Sequence, residues 1–100
     1  MLLGGLIGIT SYLKYYNKVG FGNPYIGDLN DLKEIGIHRL GDGATNGPEG
    51  NSLGAILLTI NWDGSSFHQI YFSLKNIVLY YRVKQVSGFT NWYKFTGVVI

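Results

Sequence analysis

Three segments in the second half of the chain alternate apolar and more polar side chains with a period of two. Residues 54–62 carry Ile56 and Leu58 at alternate positions, and residues 67–74 and 77–84 repeat the pattern. This period places successive side chains on opposite faces of an extended chain, which predicts β-strands. Because only a few residues connect the segments, the three strands are predicted to form an antiparallel meander.

Glycine-rich clusters separate the remaining segments of the chain. The segments between these turns are rich in Tyr, Val, Ile, Phe and Thr, as strands are. A short helix is predicted at residues 28–34, where Asp28 is a suitable N-cap and Gly36 a stop. Further strands are predicted at residues 37–40 and 92–100. The chain is therefore expected to be mainly β, a small antiparallel sheet of about five or six strands with one short helix.

The composition and the charge exclude several functional classes. The chain contains no cysteine, which rules out disulfides, thiolate metal sites and cysteine nucleophiles. Its formal charge is only +2 and its basic residues are scattered, so no nucleic-acid partner is expected. The apolar stretch at residues 1–13 is interrupted by glycines. It is also shorter than a membrane-spanning helix, which needs about 20 residues. Neither membrane insertion nor a signal peptide is expected.

The acidic residues and the histidines are poorly placed for catalysis or metal binding. Asp42, Glu49 and Asp63 lie in glycine-rich stretches, where turn and capping roles compete with paired catalytic carboxylates. His38 and His68 lack the paired spacing of a metal site, and ordinary strand positions compete with ligand roles. One alternative stays open: in a homotrimer, three copies of one residue meet at the three-fold axis and can bind an ion there. No catalytic residue, cofactor or resident metal is predicted.

Aromatic residues are abundant, with eight Tyr, five Phe and two Trp. Rings that stack on sugars, beside polar groups that bind hydroxyls, are typical of carbohydrate recognition. Strand parity places four such candidates on the polar face of the sheet, namely Gln69, Tyr71, Tyr80 and Arg82. This face is interpreted as a ligand surface, or alternatively as a subunit interface or a polar second layer. Trp62 and Trp92 are interpreted either as core residues or as ligand-binding residues. Trp62 has the same strand parity as Ile56, which assigns it to the aliphatic face.

Several short motifs follow one another along the chain. They are Asp28-Leu29-Asn30-Asp31-Leu32, Gly36-Ile37-His38-Arg39-Leu40, Asn46-Gly47-Pro48, Gln69-Ile70-Tyr71, Val78-Leu79-Tyr80-Tyr81-Arg82 and Trp92-Tyr93. Their order and spacing, from Asp28 to Phe95, resemble the pyocin-knob-type C-terminal domain of bacteriophage tail fibres and related bacteriocin fibres.

The resemblance implies a receptor-binding β knob at residues 28–100, preceded by an N-terminal neck at residues 1–27. It implies a homotrimer at the distal tip of a virion tail fibre, which attaches without catalysis to a bacterial cell-surface polysaccharide, either capsule or lipopolysaccharide. The apolar side chains of residues 1–22 are expected to be buried between chains, since a domain this small offers them few partners. Two rival expectations are a structural domain that trimerises or caps a fibre without a ligand, and a depolymerase.

The receptor contacts are predicted to come from the loop at residues 41–52 and from neighbouring strand ends. Loops on a rigid β scaffold commonly carry recognition groups, and this loop holds Asp, Asn and Glu together with a proline that limits its freedom. The predicted ligand-binding residues are Asp42, Asn46, Glu49, Trp62, His68, Tyr71 and Arg82.

Overall fold

A computed structural model describes residues 23–61, 63 and 65–100 of the chain. Within this part, the chain forms one six-stranded antiparallel sheet and a single 3₁₀ turn at Leu29–Asp31. The strands are β1 (Gly36–Arg39), β2 (Ile56–Asn61), β3 (Phe67–Phe72), β4 (Val78–Gln85), β5 (Gly88–Phe89) and β6 (Tyr93–Thr96). The predicted mainly β fold is confirmed. Residues 1–22 of the predicted neck, and Trp62, lie outside the described residues.

The first four strands pair in the order in which they occur along the chain. Each pair is antiparallel, and the register is continuous, so that Ile37, Leu58, Ile70 and Tyr81 lie side by side in one row across the sheet. The predicted meander of the three alternating segments is therefore confirmed.

The last two strands share one edge of β4 and are separated by a bulge. Lys84 pairs with Phe89 and Tyr81 pairs with Tyr93, so two residues intervene on β4 but three on the opposite chain. One extra residue in one strand of an antiparallel pair shifts the alternation of faces beyond it. The bulge thereby brings Phe89 and Trp92 onto the same face, although an uninterrupted strand would place them on opposite faces. The single strand predicted at residues 92–100 is thus shorter than expected, and β5 was not predicted.

The predicted helix is reduced to one 3₁₀ turn. Asp28 is the N-cap as predicted, and its side chain accepts a hydrogen bond from the Asn30 backbone N–H at 2.8 Å. The turn ends at Leu32 instead of continuing to residue 34. A segment this short cannot sustain an α-helix on its own, whereas the 3₁₀ repeat of three brings Leu29 and Leu32 onto the same side. Both leucines are buried against the sheet.

The hydrophobic core lies on the face of the sheet that the alternation marks as polar. The 3₁₀ turn and the loop between β1 and β2 cover this face, and the core contains Leu29, Leu32, Leu40, Ala55, Leu57 and Tyr71. Thr59, Gln69 and Arg82 are buried on the same face. The aliphatic face, to which strand parity assigns Trp62 and Ile56, was predicted to be the core, but it carries exposed side chains such as Ile60 and Phe72. The covering segments supply carbonyl partners for two of its buried polar side chains, since Thr59 and Gln69 both donate to the Leu32 carbonyl.

Candidate functional site

The loop that begins after β1 crosses the buried face of the sheet and is held by backbone hydrogen bonds at several points. The Leu29 N–H donates to the Thr45 carbonyl at 3.0 Å, and the Thr45 N–H donates to the Gly27 carbonyl at 3.1 Å. Farther along, the Gly54 N–H donates to the Leu40 carbonyl at 3.2 Å. The loop at residues 41–52 therefore has one defined path over the core.

Asn46 anchors the middle of this loop. Its φ of 62° lies in the left-handed region, which asparagine tolerates better than most residues. Its side-chain amide donates to Asp28 Oδ1 at 2.8 Å, and its carbonyl accepts from Trp92 Nε1 at 3.2 Å. The hydrogen bond from Asn46 and a second from the Asn30 backbone lower the pKa of Asp28. Asp28 therefore stays ionised and serves both as the cap of the 3₁₀ turn and as a loop anchor.

Glu49 anchors the same loop at a second point. Its carboxylate accepts hydrogen bonds from the Tyr71 hydroxyl at 3.0 Å, the Ser73 hydroxyl at 2.8 Å and the Asn76 amide at 3.2 Å. Burial raises the pKa of Glu49, but the hydrogen bonds from Ser73, Tyr71 and Asn76 outweigh it, so that the pKa is lowered overall. Burial, together with the charge of Glu49, raises the pKa of Tyr71 to about 12. At neutral pH the pair is therefore an anionic acceptor and a neutral donor.

Arg82 is a buried cation beneath the loop. Its guanidinium lies 3.8 Å from the centre of the Phe89 ring and 4.4 Å from that of Trp92, the two rings that the bulge places on this face. Its Nε donates to Gln69 Oε1 at 2.8 Å, and Gln69 Nε2 donates to the Leu29 carbonyl at 2.7 Å. Burial lowers the pKa of Arg82 to about 10, so the group stays protonated at neutral pH. Arg82 thus links the sheet, the bulge and the 3₁₀ turn.

The loop brings four of the predicted site residues to one face of the sheet, although at different depths. Asn46 is exposed and Glu49 is half-buried, whereas Tyr71 and Arg82 are only 0% and 5% exposed. The first two are therefore open to a ligand in this structure, and the other two support them from below. Asp42 is exposed at the start of the loop.

His68 lies on the opposite face of the sheet from these residues. Its Nδ1 is 2.6 Å from the Tyr81 hydroxyl, and the two rings are stacked. His38, the other histidine, lies in β1, where its Nε2 is 2.8 Å from the Glu34 carbonyl oxygen. Both histidines therefore make ordinary hydrogen bonds of strand residues. Trp62, the remaining candidate, falls outside the described residues.

Residues outside the loop that hold it in place were not predicted from the sequence. Ser73 and Asn76, in the connection from β3 to β4, both bind Glu49. Asp28 was recognised only as a helix cap, and its contact with Asn46 spans 18 positions of the chain. No local pattern marks such pairs, because the partners meet only when the loop folds back over the sheet.

Two kinds of feature are absent from the described residues. Within residues 23–61, 63 and 65–100, no group of three or more His, Asp and Glu side chains is arranged to hold a metal ion. The same part of the chain contains no helix with the length and apolar character needed to cross a bilayer.

The fold and the site define a single antiparallel sheet with one face covered by a loop that polar side chains anchor at two points. Comparison of the chain with protein-family models, with curated proteins and with solved structures gives no match in any of the three. The resemblance to pyocin-knob-type domains therefore stays a prediction.

Because the pKa values of Asp28 and Glu49 are lowered, we expect the free energy of unfolding to decrease in acid. A group whose pKa is lower in the folded than in the unfolded chain stabilises the fold above its unfolded pKa, and this contribution disappears as the pH falls through the folded pKa. For Asp28 and Glu49 the loss is therefore expected mainly below about pH 4.5. Urea unfolding between pH 7 and pH 2.5 measures it. Glu49→Gln is expected to be less stable at pH 7 but to show a shallower decline than the wild type. An unchanged profile in Glu49→Gln contradicts the assignment.

Proposed function

We propose that this chain is a non-enzymatic attachment domain that binds a bacterial cell-surface polysaccharide, capsule or lipopolysaccharide, at the distal tip of a phage-type tail fibre. The observation that carries the proposal is the loop at residues 41–52, which Asn46 and Glu49 anchor over a rigid sheet. The resemblance of the motifs to fibre knob domains supports the setting. The proposed active form is a homotrimer.

The anchored loop supports recognition because an ordered loop loses little conformational freedom on binding. Its outer surface presents the carboxylate of Asp42 and the backbone and side-chain groups around Asn46, while Trp92 lies half-buried beside it. These are the groups that bind sugar hydroxyls and pack on sugar rings. Three copies on one tip multiply weak contacts, so a single-site dissociation constant near 1 mM, or about −4.1 kcal/mol, suffices for attachment.

The state of Glu49 is poorly suited to a general acid. A general acid that cleaves a glycosidic bond needs a raised pKa, so that it carries a proton at neutral pH. The pKa of Glu49 is instead lowered by hydrogen-bond donors, which outweigh the effect of burial. Its carboxylate is engaged in holding the loop, which supports a role in ordering the recognition surface.

The proposal predicts that loss of either an exposed loop charge or a loop anchor weakens attachment. Asp42→Asn removes a surface carboxylate, and Glu49→Gln loosens the loop by weakening its hydrogen bonds. Each change is expected to reduce binding to host-cell polysaccharide at least tenfold, since one hydrogen bond with a charged group is worth about 1.5–3 kcal/mol. Binding to immobilised capsule and lipopolysaccharide measures this.

The matched control for both variants is Asp63→Asn, which makes the same chemical change in the connection after β2, at the opposite end of that strand from the loop. It is expected to bind as the wild type does. If Asp42→Asn and Glu49→Gln also bind as the wild type does, the receptor site lies elsewhere on the domain. Release of reducing ends from capsule during the assay would instead identify a depolymerase.

A structural role is the second candidate function. The observation that favours it is the partly exposed aliphatic face of the sheet, which lies opposite the loop and is suited to assembly. A domain that only trimerises or caps a fibre retains no polysaccharide in a pull-down with host envelope material. That result would replace the attachment proposal by the structural one.

A further inference from the structure

The sheet face opposite the loop is apolar along its whole width. We define the aliphatic face by three rows of residues that are paired directly across adjacent strands. The rows are Ile37, Leu58, Ile70, Tyr81 and Tyr93; Arg39, Ile56, Phe72, Leu79 and Phe95; and Ile60, His68 and Val83. Directly paired residues in adjacent strands point to the same side of a sheet, so these side chains form one continuous surface.

Several side chains of the aliphatic face are exposed in the described part of the chain. Phe72 is 42% exposed, Ile60 48% and Phe95 55%, and none of the described segments that cover the core lies on this side. An antiparallel sheet that leaves one face in water ordinarily carries polar side chains there. Contiguous apolar surface of this kind marks an interaction site.

The size of the aliphatic face suits a protein interface. With ordinary strand spacing, five strands and three rows cover about 24 Å by about 20 Å, or roughly 500 Å². A stable complex of standard size buries about 800 Å² on each partner. The exposed side chain of Ile77 lines the same cavity as Phe72, Leu79 and Phe95 and extends the apolar surface.

A depression at one end of the aliphatic face adds shape to it. The cavity has a volume of about 330 Å³, and its lining includes Phe72, Ile77, Leu79 and Phe95. One of the three rows thus ends in a hollow that accepts protruding apolar side chains, since Phe72, Leu79 and Phe95 belong to the same row. A flat sheet of Ile and Leu alone offers no such fit.

The charge of the aliphatic face favours a second copy of the same chain as its occupant. Arg39, at one corner, and His68, which contacts Tyr81, are the only acidic or basic side chains in the three rows. Symmetric assembly brings identical surfaces together, so a charged face would oppose like charges. A face that is almost uncharged avoids this repulsion and gains from apolar burial.

We propose that the aliphatic face packs against the same face of two further copies of this chain, around the axis of the homotrimer. The proposal rests on the homotrimer of the proposed function and names the surface that forms it. The three sheets form the sides of a prism, with their loops directed outward and their aliphatic faces directed inward. The loop at residues 41–52 stays accessible in this arrangement, since it lies on the opposite face of each sheet.

A single charge in the centre of the aliphatic face tests the proposal. The full-length wild-type chain is expected to have about three times its mass of 11.1 kDa by light scattering at micromolar concentration. Leu58→Asp is expected to give a folded monomer, because three buried carboxylates near one axis repel one another. The matched control is Val86→Asp, which places the same charge at another exposed aliphatic residue, in the turn after β4. This control is expected to remain a trimer.

If Leu58→Asp fails to fold, the milder variant Leu58→Thr tests the proposal. Leu58→Thr keeps a residue suited to strands, and it is expected to raise the concentration of half-dissociation at least tenfold, with an unchanged circular dichroism spectrum. A monomeric wild type, or trimers of undiminished affinity in both Leu58 variants, would overturn the proposal. Polysaccharide binding is measured separately. A trimer that binds no polysaccharide overturns only the proposed attachment function. A monomer that binds polysaccharide overturns only the proposed trimer interface.

Discussion

Replacing Gln69 with leucine is expected to lower the free energy of unfolding by about 3–5 kcal/mol. Gln69 is fully buried and joins three parts of the fold. Its amide donates to the carbonyls of Leu29 at 2.7 Å and Leu32 at 3.3 Å, and its Oε1 accepts from Arg82 Nε at 2.8 Å. Leucine has a similar volume but no polar atoms, so the guanidinium would lose the acceptor that compensates its burial.

A double-mutant cycle with Arg82→Met separates this cause from lost packing. If the unpaired cation accounts for most of the effect, the Gln69→Leu and Arg82→Met double variant is destabilised by at least 1 kcal/mol less than the sum of the single variants. Urea unfolding at one fixed protein concentration measures all four proteins, because assembly makes stability depend on concentration. Additive losses would show that Arg82 is held chiefly by the rings of Phe89 and Trp92.

Replacing Tyr71 with alanine is expected to destabilise the domain by about 3–5 kcal/mol, as truncation of a large core aromatic does. Tyr71 is fully buried at the centre of the core. Its ring packs edge-on against Tyr80 at 5.8 Å and Trp92 at 6.0 Å between centroids, and its hydroxyl donates to Glu49. Because a domain of this size is stable by only about 5–15 kcal/mol, this loss is a large fraction of its total stability.

The control for Tyr71→Ala is Tyr71→Phe, which keeps the ring and removes only the hydroxyl. Its loss is expected to be about 1–2 kcal/mol, since Glu49 retains Ser73 and Asn76 as donors. Thermal unfolding at a fixed concentration compares the two variants with the wild type. Equal losses would show that the hydroxyl, and not the ring, stabilises the core. Tyr71 is therefore a poor position at which to probe ligand binding, because its truncation disturbs the fold first.

Much of the fold could be predicted because it depends on local patterns. The alternation over residues 67–74 predicted β3 within two residues of its observed end, and short connections predicted the meander. Asp28 was recognised as a cap, since a cap acts on a backbone group only two residues away. The predicted helix was too long, because the leucines that follow Asp28 are placed by the sheet and not by helix propensity.

The candidate site could be predicted only in part. Asn46 and Glu49 were chosen as polar loop residues, and both prove to anchor the loop through partners at distant positions. Tyr71 and Arg82 were grouped correctly on one face by strand parity, but parity does not reveal depth, and both are buried. His68 was added to the same site although it lies on the other face, where it contacts Tyr81.

The sequence by itself determined strands β1 to β4, the meander of β2 to β4 and the two chemically distinct faces, because period, turn residues and connection length are properties of neighbouring positions. Only the tertiary structure decided which face is buried. Both faces carry enough apolar surface to pack, and the choice depends on where the 3₁₀ turn and the loop come to lie, through contacts such as that of Gln69 with Leu29 across 40 positions. The bulge before β6 likewise depends on pairing with β4 and aligns Phe89 with Trp92 around Arg82.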